Sequence, residues 1–183
     1  MFDIVSIISK HTAFLENNLK KLNPNQRKSI GSAFARFYFL LPETTECIKH
    51  YLKIKITEKQ FLENLENDTL HYFTEAVKKY DTETDPYADD FEELEPMEVN
   101  IISGLENCAN ASEKPEFAVY NFLLLIDILD YFENFSENPK YWNKLLKEEI
   151  DFQQKIVEQI SKGEIMDEKV YLERYKEVPF DEI

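Results

Sequence analysis

The segment from Pro115 to Phe135 reads PEFAVYNFLLLIDILDYFENF and is the most apolar part of the chain. Five consecutive residues in it, Phe122 to Ile126, are apolar, so a helix through them has no polar face. A helix that is hydrophobic all round is buried inside a protein. The sequence therefore predicts a helix from Phe117 to Phe135 at the centre of a helical bundle.

Amphipathic helices are predicted on both sides of this segment. Apolar residues recur there at spacings of three and four, which is typical of one buried helix face. The predicted helices cover residues 2–22, 24–41, 43–53, 57–80, 96–111 and 138–163. Asn23-Pro24, Asn138-Pro139 and the Thr57 to Gln60 capping box are start signals, and Gly163 suits a left-handed C-terminal cap.

These helices indicate an all-α fold, with a single-domain bundle of about seven helices over residues 1–163. An acidic inter-helix connection is predicted at 81–98. Residues 164–183 are predicted to form a C-terminal tail with a short helix around Val170, Leu172 and Tyr175. Lys53 to Ile56 alternate as a strand would, but four residues are too few to indicate a sheet. No repeat of fixed period supports a solenoid.

Composition excludes several classes of function. Three glycines outside any glycine-rich string argue against Rossmann and P-loop nucleotide sites. Cys47 and Cys108 are too far apart for a zinc knuckle and are expected to be reduced thiols. The N-terminus has no basic region of a leader, and no apolar run exceeds five residues, so we expect a soluble, cytoplasmic protein that does not enter a membrane.

The negative charge of the chain lies in its C-terminal part. The net charge is −15, which argues against nucleic-acid binding because phosphate backbones are held by Lys and Arg. Residues 1–80 contain 12 basic and 9 acidic side chains, whereas residues 81–183 contain 9 basic and 27 acidic ones. The second part therefore has a net charge of −18, and such a one-sided field favours rapid capture of a cationic partner.

The acidic connection is the predicted partner-binding site, because aromatic side chains lie within its run of acids. Aromatic anchors surrounded by charge are typical of protein-binding hot spots. The candidate residues are Asp85, Tyr87, Asp89, Asp90, Phe91, Glu92, Glu93 and Glu95. Two alternatives stay open: the acids form a solvated face, or Phe91 pins the connection to the core.

Two carboxylate and histidine pairs at helical spacing are candidate metal ligands. Asp68 with His71, and Glu46 with His50, each share a helix face. A di-iron bundle needs two Glu-x-x-His motifs and two further glutamates, so capped or solvent-facing histidines are the favoured interpretation. No nucleophile stands on a sharp glycine-flanked turn. We therefore expect no catalytic residue, metal or cofactor.

Asp127, Asp130 and Glu133 interrupt the apolar helix at spacings of three. If they are buried they need a partner, for which Arg36 is a candidate, since an unpaired buried charge is costly. The preferred interpretation is that they form the single solvated stripe of that helix. The alternative function is a helical enzyme or metal-binding protein that uses these acids or His71.

Three short segments carry a resemblance to a known family. They are an aromatic helix with an arginine that ends in a proline (Phe34-Ala35-Arg36 to Leu41-Pro42), an acidic segment before a helix (Ala88 to Phe91), and a terminal helix segment with Glu followed by Gln (Glu149 to Gln153). In this order the chain resembles the domain-of-unknown-function 416 (YjaG-like) group of bacterial all-helical proteins. The resemblance implies a helical bundle and carries over no catalytic residue.

We therefore expect a non-enzymatic inhibitor that binds a basic protein, most simply an immunity protein that neutralises a toxin of the nuclease type. A nuclease must be cationic to hold phosphates, so an acidic inhibitor can occupy the same surface. The sequence leaves the oligomeric state open.

Overall fold

The structure, a computed structural model, describes residues 4–83, 87 and 93–181. This part of the chain contains nine helices and no strand, which confirms the predicted all-α fold. They are α1 (Ile4–Leu19), α2 (Pro24–Leu40), α3 (Thr44–Leu52), α4 (Glu58–Glu66), α5 (His71–Glu83), α6 (Pro96–Asn110), α7 (Pro115–Phe135), α8 (Pro139–Ser161) and α9 (Val170–Tyr175). None of the helices described is long and apolar enough to cross a membrane.

The helix predicted over residues 57–80 is two helices, α4 and α5. The break lies at Asp68, whose φ of 53° is in the left-handed region. Asp and Asn adopt this conformation more readily than most residues because their short polar side chains bond locally. Behind the turn, the Thr69 N–H donates to the Asn64 carbonyl at 2.8 Å. Residues 4–163 therefore contain eight helices where about seven were predicted, and α9 is the short helix predicted in the tail.

The most enclosed helix is α2, which packs against α3, α4, α6, α7 and α9. Every residue from Gln26 to Leu40 is buried or half-buried. Helix α7 packs against α1, α2, α6 and α8 but keeps one exposed stripe. The central position predicted for α7 thus belongs to α2, although α2 is less apolar.

Two glycines explain why α2 and α6 approach so closely. A Cβ on Gly31 would lie 2.7 Å from the Cys108 carbonyl oxygen of α6. A Cβ on Gly104 of α6 would lie 2.0 Å from Cζ of the buried Tyr38 ring. Cβ atoms do not approach other heavy atoms so closely, so both positions need glycine for this packing. Close contact with α6 then removes α2 from solvent.

Residues after Gly163 pack into the core. Tyr171 and Tyr175 of α9 are fully buried, and Phe180 is nearly so. The Tyr171 ring lies 4.3 Å from Phe34 of α2, measured between centroids. Gly163 itself has a φ of 103°, as predicted for a residue that ends α8 and turns the chain back.

Candidate partner-binding site

Three of the predicted partner-binding residues are described, and all three are exposed. Tyr87 has 92% of its surface accessible, and Glu93 and Glu95 also face solvent. The other predicted residues lie outside the part that the structure describes: Asp85, Asp89, Asp90, Phe91 and Glu92. The exposure of these three side chains leaves them accessible to a partner, and the rest of the predicted site stays a prediction.

The acidic connection ends at the start of α6, and a hydrogen bond between α6 and α3 forms a base for it. Glu95 caps α6, and its backbone N–H donates to Oε2 of Glu98 at 2.8 Å. The Tyr51 hydroxyl of α3 donates to the same carboxylate oxygen at 2.9 Å. Pro96 occupies the first turn, where its missing N–H is not needed. Glu93 and Glu95 are therefore presented just before a helix N-terminus, where the helix dipole favours negative charge.

A shallow acidic recess lies beside this base, between α3 and α6. It is lined by Glu43, Glu46, Cys47, His50, Tyr51 and Glu98. Burial and the Glu98 charge raise the pKa of Cys47 to about 12. The thiol is therefore protonated at neutral pH and is not activated as a nucleophile. The sequence did not indicate this recess, because α3 and α6 are far apart along the chain.

Like charges crowd the neighbouring ends of α5 and α6. Burial and the Asp81 carboxylate raise the pKa of Glu106. Burial, Asp81 and Glu98 similarly raise the pKa of Tyr80. Each group resists carrying a further negative charge where negative charge is already present. Acidic side chains of α5 and α6 therefore lie close together here, although burial is the larger cause of both shifts.

The carboxylates of the two candidate metal-binding pairs form ion pairs with lysines. Asp68 pairs with Lys28 at 2.8 Å, and Glu46 pairs with Lys49 at 2.8 Å. His50 and His71 are exposed, as the favoured interpretation expected. Among the residues described, no group of three His, Cys, Asp or Glu side chains is placed to hold a metal ion.

The third histidine, His11, is not exposed. It is buried between α1 and α8, with Nε2 2.7 Å from Oε1 of Gln153. Burial lowers its pKa, and the bond to Gln153 opposes the shift. His11 faces inward because it lies on the apolar side of α1, where Leu15 and Leu19 are also buried.

The preferred interpretation of the acids on α7 is confirmed. Asp127 is exposed, and Asp130 and Glu133 are half-buried. Arg36, the candidate partner, pairs instead with Glu58 and Glu168, each at 3.0 Å. These acids therefore form the solvated stripe of α7 and belong to the surface.

A buried polar network that the sequence did not reveal fixes α8 to its neighbours. Glu149 is fully buried, and its Oε2 accepts bonds from Arg174 Nε at 2.8 Å and from the Tyr175 hydroxyl at 2.6 Å. Four residues along α8, Gln153 donates to the Phe122 carbonyl at 3.0 Å. The available signal was two polar residues one turn apart on the apolar face of α8. Their burial indicates a structural role.

No protein-family model, curated protein or solved structure matches this chain. Function must therefore be inferred from the placement and chemistry of its own residues.

Proposed function

We propose that the protein is a non-enzymatic, acidic inhibitor that binds a basic protein partner, such as an immunity protein that neutralises a nuclease-type toxin in the bacterial cytoplasm. The observation that carries the proposal is the exposure of the Tyr87 ring, which lies within a run of acidic residues in the sequence. An exposed tyrosine supplies a large contact area, and the surrounding carboxylates supply steering and selectivity for a cationic surface.

The state of the candidate reactive groups supports the non-enzymatic part of the proposal. The Cys47 thiol is protonated at neutral pH, and Cys108 is fully buried with a raised pKa. The acids adjacent to His50 and His71 are paired with lysines. Protonated, buried thiols lack the thiolate that covalent catalysis uses as its nucleophile.

Capture from the source cytosol at low salt, followed by elution with salt, tests the proposal. The expected eluate contains one basic protein, and the affinity of that purified protein should fall steeply as the salt concentration rises. Tyr87→Ala should weaken binding roughly 30-fold, the effect of losing a hot-spot aromatic worth about 2 kcal/mol. Asp89→Lys/Asp90→Lys should weaken it at least as much by repulsion.

A matched charge reversal on another surface provides the control. Glu148 and Asp151 are exposed on α8, and Glu148→Lys/Asp151→Lys changes the net charge equally. This control should lower affinity only through the smaller overall charge. Equal losses in both double variants, or a binding partner that is not basic, would refute the proposed role of the acidic connection.

We also propose kinship with the YjaG-like group of all-helical proteins. The support is the fold class together with the Glu149 to Gln153 segment, whose two end residues belong to the buried network. If the kinship holds, a relative should carry polar residues at these two positions and partners on the equivalents of α1 and α9.

A further inference from the structure

Helices α6 and α7 differ from the other surface helices because they contain acids but no lysine or arginine. The exposed faces of α3, α4, α5 and α8 each hold a Lys–Glu pair one turn apart, such as Lys144 with Glu148 on α8. In the part of the chain that the structure describes, no cation lies within 4 Å of Asp127 or Asp130. Asp127 and Asp130 thus form no ion pair with any residue that the structure describes.

The exposed stripe of α7 has acids in the middle and aromatic rings towards both ends. Tyr120 is 49% exposed and Phe135 is 66% exposed. Asp127 and the half-buried Asp130 lie between them, and Tyr131 packs against Phe135 with ring centroids 4.8 Å apart. At a rise of 1.5 Å per residue, the distance from Tyr120 to Phe135 is about 22 Å, or four turns. We call these five residues the α7 stripe.

Exposed aromatic rings beside unpaired acids are not the composition expected of a helix face that contacts only water. Exposing an aromatic ring to water is less favourable than burying it. Tyr131 and Phe135, which are in contact, form a contiguous apolar patch of the kind that a partner covers. Partial burial and the Asp130 carboxylate raise the pKa of Asp127, so a cation brought to this pair would relieve a repulsion already present. A symmetric pairing of two copies through this stripe would instead place like charges together.

We propose that the α7 stripe is a second docking surface, which receives a cationic helix of a partner protein. Lys or Arg side chains in the middle turns of that helix would meet Asp127 and Asp130. Apolar residues at its ends would cover Tyr120 and Phe135. Two helices that cross at about 20° stay in contact over several turns, which suits the length of the stripe. The inference rests on the proposed function for the class of partner, a basic protein, but concerns a different surface.

A synthetic peptide provides the probe. It has about 18 residues, with lysines in its central turns and leucines at both ends on one helical face, and carries a fluorescent label for anisotropy. The intact protein should bind it at low salt. Asp127→Asn/Asp130→Asn and Tyr120→Ala/Phe135→Ala should each weaken binding about tenfold or more. Thermal unfolding should show that both variants, which change surface residues, stay folded.

Two controls separate docking from general charge attraction. Glu148→Gln/Glu158→Gln on α8 removes the same charge from exposed positions and should change the affinity less than twofold. A peptide of the same composition without helical periodicity should bind about tenfold more weakly. The proposal is overturned if the α8 variant weakens binding as much as the α7 variants, or if the scrambled peptide binds equally well.

The same variants distinguish this inference from the proposed function. The α7 inference fails and the proposed function stands if Asp89→Lys/Asp90→Lys abolishes binding of the natural basic partner while the α7 variants still bind the peptide. Only the proposed function fails if the α7 variants no longer bind the peptide while Asp89→Lys/Asp90→Lys leaves binding of the natural partner unchanged. Concentration-dependent self-association that Asp127→Asn/Asp130→Asn abolishes would assign the stripe to a second copy and overturn the proposal.

Discussion

Replacing Arg174 with methionine should strongly destabilise the protein, because it removes the cation that faces a fully buried carboxylate. Arg174 Nε lies 2.8 Å from Oε2 of Glu149, and the guanidinium also stacks 4.1 Å above the Phe152 ring. Methionine keeps most of the aliphatic length of arginine but removes the charge and the donors. Of the two groups that donate to Oε2 of Glu149, only the Tyr175 hydroxyl would then remain.

The expected loss follows from the exposure of the two partners. Glu149 is fully buried and the Arg174 side chain is 22% exposed, so water compensates little for the missing cation. Breaking one side of a buried ion pair costs about 3–5 kcal/mol, because the remaining charge is left uncompensated. For a chain of this size each kcal/mol lowers Tm by about 2–4 °C, so Tm should fall by about 6–20 °C.

A second substitution, Glu149→Gln, completes a double-mutant cycle with Arg174→Met. It separates the effect of the carboxylate charge from the effect of side-chain shape. In the Glu149→Gln variant, Arg174→Met no longer strands a carboxylate, and its further cost should fall to about 1–2 kcal/mol for lost bonds and packing. Burial raises the pKa of Glu149, and Arg174 opposes that rise. The carboxyl of the Arg174→Met variant therefore protonates at a higher pH than in the wild type, so the penalty should shrink as the pH falls towards 4.5.

Urea denaturation monitored by circular dichroism and by the fluorescence of Trp142, the single tryptophan and fully buried, measures these differences. Lys144→Met is the matched control, since Lys144 lies 3.6 Å from Glu148 and both side chains are exposed. An exposed pair contributes less than about 1 kcal/mol, so this control should change little. Equal losses from Arg174→Met in the wild type and in the Glu149→Gln variant would refute the reasoning, as would a loss no larger than that of Lys144→Met.

Two further predictions concern buried positions. Gly104→Ala should cost about 1–3 kcal/mol, because the new methyl group would overlap the enclosed Tyr38 ring; an unchanged urea midpoint would show that α6 can shift freely. Burial lowers the pKa of His11 below 6.5, so the unfolded chain binds a proton that the native one does not, and stability should decline by up to about 1.4 kcal/mol per pH unit as the pH falls below 6.5. His11→Gln should flatten this decline and the exposed His71→Gln should not; the same slope in both variants would contradict the assignment.

Local signals in the sequence predicted the helices and their starts accurately. Asn23 accepts a bond from the Gln26 N–H at 3.0 Å, and Thr57 forms the predicted capping box with Gln60. Capping and helical periodicity depend on residues three or four apart, so they can be recognised without knowledge of the fold. The turn at Asp68 was missed because the apolar spacing continues across it.

The candidate site was predictable only in part. Clustering of acids along the chain indicated the acidic connection, and the structure adds that Tyr87 is exposed. The recess that joins Glu43 to Glu98 was not predictable, because those residues meet only after α3 and α6 pack together. The α7 stripe was visible as a polar interruption, but only the exposure of Phe135 and Tyr120 shows that aromatic rings share it.

From its order of residues the chain specifies a helical bundle with its negative charge in the C-terminal part, since periodicity, caps and charge runs are local properties. Packing between segments that are distant in sequence decides which helices and charged residues are buried. It buries α2, in spite of its arginines, because Gly31 and Gly104 permit close approach to α6. It also pairs Glu149 with Arg174 across 25 residues of sequence, so that the segment after Gly163 becomes part of the core. A buried charge is stable only where a partner from another helix reaches it, and tertiary packing alone decides whether such a partner is near.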